Sequence, residues 1–210
     1  MADALAIFVK SPRAGQVKTR LGDAIGADEA AELYRSLGRQ VVEQCVDPAR
    51  HGTTVWFAPA ADEAEIRSWL GDLGVDAFVP QSDGGLGVRM AGMFEDHFAR
   101  GASRVVVIGS DCPGMGRSKV QLALDSLDAA DMAIGPARDG GYYLLGLRKP
   151  APALFEAVSW STDHVFQQTM RNAMALGLRV VVLPALRDLD TVEDACALGW
   201  WPRVTAANHG

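Results

Sequence analysis

Basic residues are in short supply: 20 Lys and Arg stand against 26 Asp and Glu, a formal net charge of −6. Proteins that grip nucleic acid normally offer a broad basic face, so that class of partner is excluded. Long apolar runs are also missing. Stretches such as Val105–Ile108 and Val180–Leu183 are far too short to cross a bilayer. Residues 1–9 show no basic start followed by a long apolar stretch, so no export signal is read there. Cysteine is scarce, odd in number and dispersed, at Cys45, Cys112 and Cys196, which suits neither a disulfide framework nor a Cys-x-x-Cys metal site. A reducing cytoplasm is the expected setting. Repeats, low-complexity tracts and linkers are absent too, so the expectation is one domain over residues 1–202 with a loosely held tail at 203–210. A homo-oligomer is compatible with the sequence.

What is present is an alternation of strand and helix patterns. Ala4–Val9 is an uncharged apolar run, as expected of a strand buried on both faces of a parallel sheet. A polar loop is expected from Lys10 to Arg20. Next comes a helix from about Asp28, its N-cap, to Cys45, with Ala30, Leu33, Tyr34, Leu37, Val41 and Cys45 on one stripe. Further strands are read at Thr53–Phe57, Val75–Val79, Arg104–Ile108, Asp131–Gly135, Tyr142–Leu147 and Arg179–Leu183. Helices are read from a capping box at Asp62-x-x-Glu65, from the Gly84–Gly87 stretch, from Ser118-x-x-Gln121, over 163–176, and from Thr191 to about Leu198. The link between Gly135 and Tyr142 is too short for a crossover helix, so one strand there should run antiparallel. The expected fold is α/β, a three-layer α/β/α sandwich around a mainly parallel mixed sheet.

In open α/β sheets ligands bind beyond the carboxyl ends of the strands, so the loops leaving the strands should carry the chemistry. The loop after the first strand places Lys10, Arg13, Lys18 and Arg20 within eleven residues of an otherwise acidic chain. Arg offers a forked donor to phosphate, Lys a mobile charge, and Gly15 the freedom to turn main-chain N–H groups toward an anion. A solvated basic loop is the competing account. The loop does not match a Walker pattern, and no Gly-x-Gly-x-x-Gly follows the strand, which disfavours a P-loop NTPase and a dinucleotide-dependent oxidoreductase.

Asp111, in Gly109-Ser110-Asp111-Cys112-Pro113, leaves a strong strand and would suit Mg²⁺ or Mn²⁺, hard ions that take one or two carboxylates and fill the rest with phosphate and water. A cap on the turn before Pro113 is the plainer account. Asp188 and Asp190 follow the last strand, where either could complete a metal site or cap the next helix. Asp139-Gly140-Gly141-Tyr142 suits a hairpin turn and equally the close approach of a substrate.

Five motifs occur in order: Lys10-Ser-Pro-x-x-Gly-x-Val-Lys18-Thr-Arg20-Leu, Gly109-Ser-Asp111-Cys-Pro, Asp139-Gly-Gly-Tyr-Tyr-Leu-Leu-Gly146, Trp160-Ser161-Thr162 and Asp188-x-Asp190-Thr-x-Glu-Asp194. Over roughly residues 4–198 the chain resembles the glycosyltransferase-A-like family of radical-SAM/selenodomain-associated transferases, once a domain of unknown function. The resemblance implies a nucleotide-diphospho-sugar transferase fold, related to the nucleotidylyltransferases of molybdenum-cofactor and coenzyme F420 biosynthesis. It implies that Gly15, Lys18 and Arg20 hold phosphates, that Asp111 holds a metal, and that Asp190, or Asp188 in its place, assists. One segment departs: the family stretch Gly-Asp-Leu-Gly-Glu-Arg-Met reads Gly84-Gly85-Leu86-Gly87-Val88-Arg89-Met90 here, without either acid. Gly84 and Arg89 remain candidates to line the nucleotide pocket, beside Lys10.

The expected activity is metal-dependent transfer from a nucleotide donor to a small acceptor, with a nucleotide-sugar glycosyl transfer first and nucleotidylyl transfer from a nucleoside triphosphate second. Lys18 and Arg20 would stabilise the leaving group, and Asp139 or His164 would deprotonate the acceptor. Gly140, Gly141, Tyr142, Trp160, Ser161 and Thr162 would shape the acceptor site. A non-catalytic nucleotide-binding accessory protein is the rival from another class, motivated by the acids missing at Gly85 and Val88.

Overall fold

The computed structural model describes residues 2–201; the tail expected at 203–210 lies outside the described residues. Seven strands form one sheet in the order β3-β2-β1-β4-β6-β5-β7. They are β1 (Asp3–Lys10), β2 (His51–Ala58), β3 (Ala77–Pro80), β4 (Arg104–Gly109), β5 (Met132–Pro136), β6 (Tyr142–Leu147) and β7 (Val180–Val182). All neighbours run parallel except at β6, which is antiparallel to both β4 and β5. The short Gly135–Tyr142 link therefore closes a hairpin, as its length demands.

The helices are α1 (Thr19–Ile25), α2 (Ala27–Cys45), α3 (Glu63–Leu70), α4 (Leu86–Ala99), α5 (Arg117–Ser126), α6 (Val165–Ala175) and α7 (Val192–Ala197). Strand alternation splits the apolar side chains between two cores. Leu5, Ile7 and Val9 of β1 join Val106 and Ile108 of β4 under α2, α3 and α5. Ala4 and Ala6 join Val105 and Val107 on the opposite face, under α4 and α6. With both faces covered, the central strands read as continuous apolar runs.

Helix starts depart from the sequence expectations. α2 begins one residue before Asp28, with Gly26 at its N-cap, and Asp28 sits in the first turn, where a carboxylate favours the helix dipole instead. Asp62 makes no capping bond; its carboxylate binds Arg13. Ser118 does not cap α5, which starts from Gly116. Thr191 does cap α7, in a capping box with Asp194, so neither Asp188 nor Asp190 serves as that cap.

Candidate active site at the carboxyl ends of the strands

The run Lys10–Arg20 is not loop throughout. Its last two residues begin α1, and Lys18 is the N-cap, held in the left-handed region at φ 46° and ψ 44°. That conformation is uncommon for a residue with a side chain. It carries the Lys18 stem inward, so that the side chain is only 5% exposed.

The Lys18 Nζ donates to Asp111 Oδ2 at 2.9 Å and to Asp190 Oδ1 at 2.6 Å. Three segments distant in sequence thus converge on one ammonium: the start of α1, the end of β4 and the turn before α7. Leu189 N–H donates to the Asp111 main-chain oxygen at 3.0 Å, which ties the last two together. Burial opposes the charge on Lys18, but the two carboxylates overcome it and hold the amine above its ordinary range. Burial likewise opposes ionisation of Asp111, and the Lys18 ammonium outweighs it, holding the carboxyl below its ordinary value. Asp188 has no such partner. Burial, then the charges of Asp111 and Asp139, push its carboxyl up to about 8, and its Oδ1 is buried without a hydrogen-bond partner.

The cluster borders a cavity of about 530 Å³, a size suited to a nucleotide-sized ligand. Lys10, Lys18, Arg20, Gly84, Arg89, Asp111, Ser161 and Asp190 all line it. Arg89 is oriented by donating to the main-chain oxygen of Gly84 at 2.9 Å and to Gln81 Oε1 at 3.2 Å. Arg13 points elsewhere, paired with Asp62 and Glu65, so the basic loop offers the cavity three cations rather than four. Gly15, at φ 74°, turns the loop without lining the cavity.

The residues expected at the acceptor are more dispersed. Asp139 accepts the Gly141 N–H at 2.9 Å in a local turn, and its charge reaches Asp188. Gly140 backs directly onto the Asp163 main chain, which leaves no room for a side chain there. Trp160 packs edge-on to Tyr142, with centroids 6.5 Å apart, and sits where a Cβ on Gly87 would approach its Nε1 to 2.8 Å. Thr162 Oγ1 donates to the Ser159 main-chain oxygen. His164 is exposed beside Asp163 at 3.4 Å and does not line the cavity. Of this group only Ser161, held at φ 64°, lines it.

The sequence reading missed Tyr34, Gln81 and Ser110, which also line the cavity. Tyr34 sits on the apolar stripe of α2, so its pattern spoke only of packing; Ser110 and Gln81 each directly follow or end a strand, and that address was the available signal.

Among the described residues no cluster of three or more His, Cys, Asp or Glu side chains is arranged to hold a metal ion. The oxygen donors nonetheless fit a hard cation. Asp111 and Asp190 already gather around one positive charge, and the partnerless Asp188 oxygen lies in the same acidic group.

Comparison with known proteins agrees with the fold. The model of the family DUF2064, described as uncharacterized protein conserved in bacteria, matches residues 41–162. That is more than half of the chain, and the chain belongs to this family. It is similar to the 2-phospho-L-lactate guanylyltransferase of Methanothermobacter thermautotrophicus, 28% identical over 180 residues, covering 84% of this chain and 76% of that protein. A crystal structure from Desulfovibrio desulfuricans G20, described provisionally as a nucleotide-diphospho-sugar transferase, superposes with TM-score 0.88 at 36% identity, covering 98% of this chain and 90% of that one. CMP:2-keto-3-deoxy-manno-octonic acid synthetase, solved with CTP, shares the fold at TM-score 0.57 and 12% identity, covering 95% and 98%.

Proposed function

We propose that this DUF2064 member is a nucleotide-using transferase that moves a nucleotidyl group from a nucleoside triphosphate to an oxygen of a small acceptor, releasing pyrophosphate. The observation that carries this reading is the Lys18 ammonium, bound by Asp111 and Asp190 at the edge of a cavity also lined by Lys10, Arg20 and Arg89. Four cations around two carboxylates suit a ligand with several negative charges, and a triphosphate more than a diphosphate ester. The relative named as a guanylyltransferase supports the same class of reaction.

Asp111 and Asp190 would hold Mg²⁺ or Mn²⁺, with Asp188 beside them. When bound, such an ion neutralises the phosphates and the departing pyrophosphate. Lys10, Lys18, Arg20 and Arg89 bind and orient the triphosphate, and Lys18 and Arg20 take up charge on the leaving group. In the attack, an acceptor oxygen bonds to the α-phosphorus as the bond to the β-phosphate bridging oxygen breaks. Neither Asp139 nor His164 lines the cavity, and Asp139, whose charge reaches Asp188, is the better candidate to take the acceptor proton. Ser161 lines the cavity and is the candidate for contact with the acceptor; Tyr142 and the neighbouring Trp160 pack on each other behind it. The reaction is assigned to the cytoplasm, consistent with three free cysteines, and to residues 1–202 acting as one domain.

The second reading, glycosyl transfer from a nucleotide-sugar, is favoured by the description of the Desulfovibrio protein. Incubation with each nucleoside triphosphate, Mg²⁺ and a panel of small hydroxy and phospho acids should release pyrophosphate. Release of a free nucleoside diphosphate from a nucleotide-sugar, with no pyrophosphate from any triphosphate, would establish the glycosyl reading instead.

A further inference from the structure

Ser110 directly precedes Asp111 and has no part in the scheme above. It is 4% exposed, yet it lines the cavity. Its Oγ lies 2.8 Å from the Tyr34 hydroxyl, and the Lys10 main-chain N–H reaches that same phenolic oxygen at 3.0 Å. Tyr34 is 5% exposed, its ring tilted against Trp69 at 5.9 Å. The chain Lys10–Tyr34–Ser110 therefore ties the end of β1 to the end of β4 through α2.

The polarity of this chain follows from hydrogen-bond chemistry. A main-chain N–H only donates, so the Tyr34 oxygen accepts from Lys10. The phenol has one hydrogen, and Ser110 Oγ is its only acceptor among the described residues. In the reverse arrangement Tyr34 would accept twice, and the phenolic hydrogen would be the one without a protein acceptor among the described residues. Phenol is also the more acidic donor of the two, and a head-to-tail sequence lets each bond strengthen the next. The Ser110 hydrogen is then left without a protein acceptor among the described residues. It belongs to a polarised hydroxyl in the cavity wall, next to the carboxylate that Lys18 holds.

We infer that Ser110 is a ligand-binding residue that donates its hydroxyl hydrogen to an acceptor oxygen of the bound nucleotide, and that Tyr34 is the positioning residue that fixes the direction of that donation. The acceptor is a phosphate or a ribose oxygen, since both take a hydrogen bond from a hydroxyl. This inference rests on the nucleotide reading of the cavity.

Calorimetric titration of the full chain with GTP, CTP, ATP and UTP and with tripolyphosphate, each with Mg²⁺, separates the outcomes. Ser110→Ala should weaken the tightest nucleotide about fivefold to tenfold, the loss of one buried hydrogen bond. Tripolyphosphate weakened to the same degree assigns the phosphate oxygen; tripolyphosphate unchanged assigns the ribose. Tyr34→Phe should weaken nucleotide binding by a smaller factor, about twofold to fivefold. In the double variant the loss should equal that of Ser110→Ala alone, because the two residues act through one donor. Additive losses would overturn the positioning role of Tyr34. Unchanged binding in Ser110→Ala, with wild-type chain that does bind, overturns this inference alone. A wild-type chain that binds none of the ligands overturns the nucleotide reading and this inference with it. Thermal midpoints of each variant check that the loss is in the site and not in the fold.

Discussion

The two ends of the sheet use the same kinds of residue to opposite effect. At the amino ends of the strands, two arginines are each matched to an aspartate. Arg104 donates to both Asp3 oxygens, at 2.8 and 2.6 Å, and turns its third nitrogen to Leu124 and Asp128. Arg179 grips Asp131 with its side chain at 3.0 and 3.2 Å and with its main-chain N–H at 3.1 Å. At the carboxyl ends, one ammonium serves two carboxylates, and Asp188 Oδ1 and Ser11 Oγ are buried without partners. Satisfied pairs hold an architecture in place; unsatisfied ones have bonding capacity left for a ligand. Asp96 Oδ2, near the end of α4, is the exception on the amino side, so it is the shared ammonium that supports the proposed placement of the chemistry at the carboxyl ends.

The largest expected effects test that division directly. Asp111→Asn should lower transfer about 10³-fold while changing stability by less than about 1 kcal/mol, because a neutral amide still accepts from Lys18. Arg104→Met, at the opposite end of β4 and seven residues before Asp111, about 17 Å from the strand's carboxyl end, should do the reverse. It strips Asp3 of its partner and should cost about 2 kcal/mol of unfolding free energy, with kcat/KM within about twofold of wild type. Urea unfolding and steady-state kinetics on both variants decide the matter. A stability loss in the first or a kinetic loss in the second would erase the contrast between the ends.

Lys18 sharpens the contrast further. In this structure its ammonium bridges the two carboxylates proposed as the metal ligands. Lys18→Met should leave those carboxylates facing each other without a counter-charge. Mn²⁺ binding measured by electron paramagnetic resonance without nucleotide should then tighten about tenfold, since a like charge no longer opposes it. Nucleotide binding should weaken in the same variant. If Mn²⁺ bound no better than to wild type, Asp111 and Asp190 would lose their assignment as its ligands.

Much of this arrangement was legible from the chain, and the reasons are specific. Strand runs such as Val105–Ile108 announced themselves because both faces are buried. The short Gly135–Tyr142 link forced the antiparallel hairpin. Lys18, Asp111 and Asp190 share an address because each follows or closes on the end of a strand. Their mutual contact was not legible. It depends on Lys18 adopting φ 46° and turning inward, which no spacing rule encodes. Arg13 looked like its neighbours in sequence, yet Asp62 and Glu65 sit across from it and claim it. His164 looked like a base by residue type, but its place at the start of α6 leaves it in solvent. Tyr34 was hidden by its own ring, which reads as packing while its hydroxyl joins two strand ends.

The smallest expected effect belongs to the amino end, where burial disfavours the charged form of two histidines. His97 and His51 are buried, and burial depresses both pKa values below the ordinary histidine value. The Trp56 Nε1–H donates to His97 Nε2 at 3.2 Å; indole can only donate, so that nitrogen carries a lone pair and the proton sits on Nδ1. Unfolding frees each ring to take up a proton near pH 6.5. The unfolded state therefore binds more protons, and stability rises with pH across this window. The contribution is complete above the unfolded value and is lost as pH falls through it toward the folded one. Each ring adds a slope of at most about 1.4 kcal/mol per pH unit. His97→Gln keeps an acceptor for Trp56 but cannot titrate, so its urea midpoint should fall less steeply between pH 7.5 and 5.5 than that of the wild type. Equal slopes in the two proteins would mean that His97 takes up no proton on unfolding, which would overturn the neutral, accepting Nε2 drawn here.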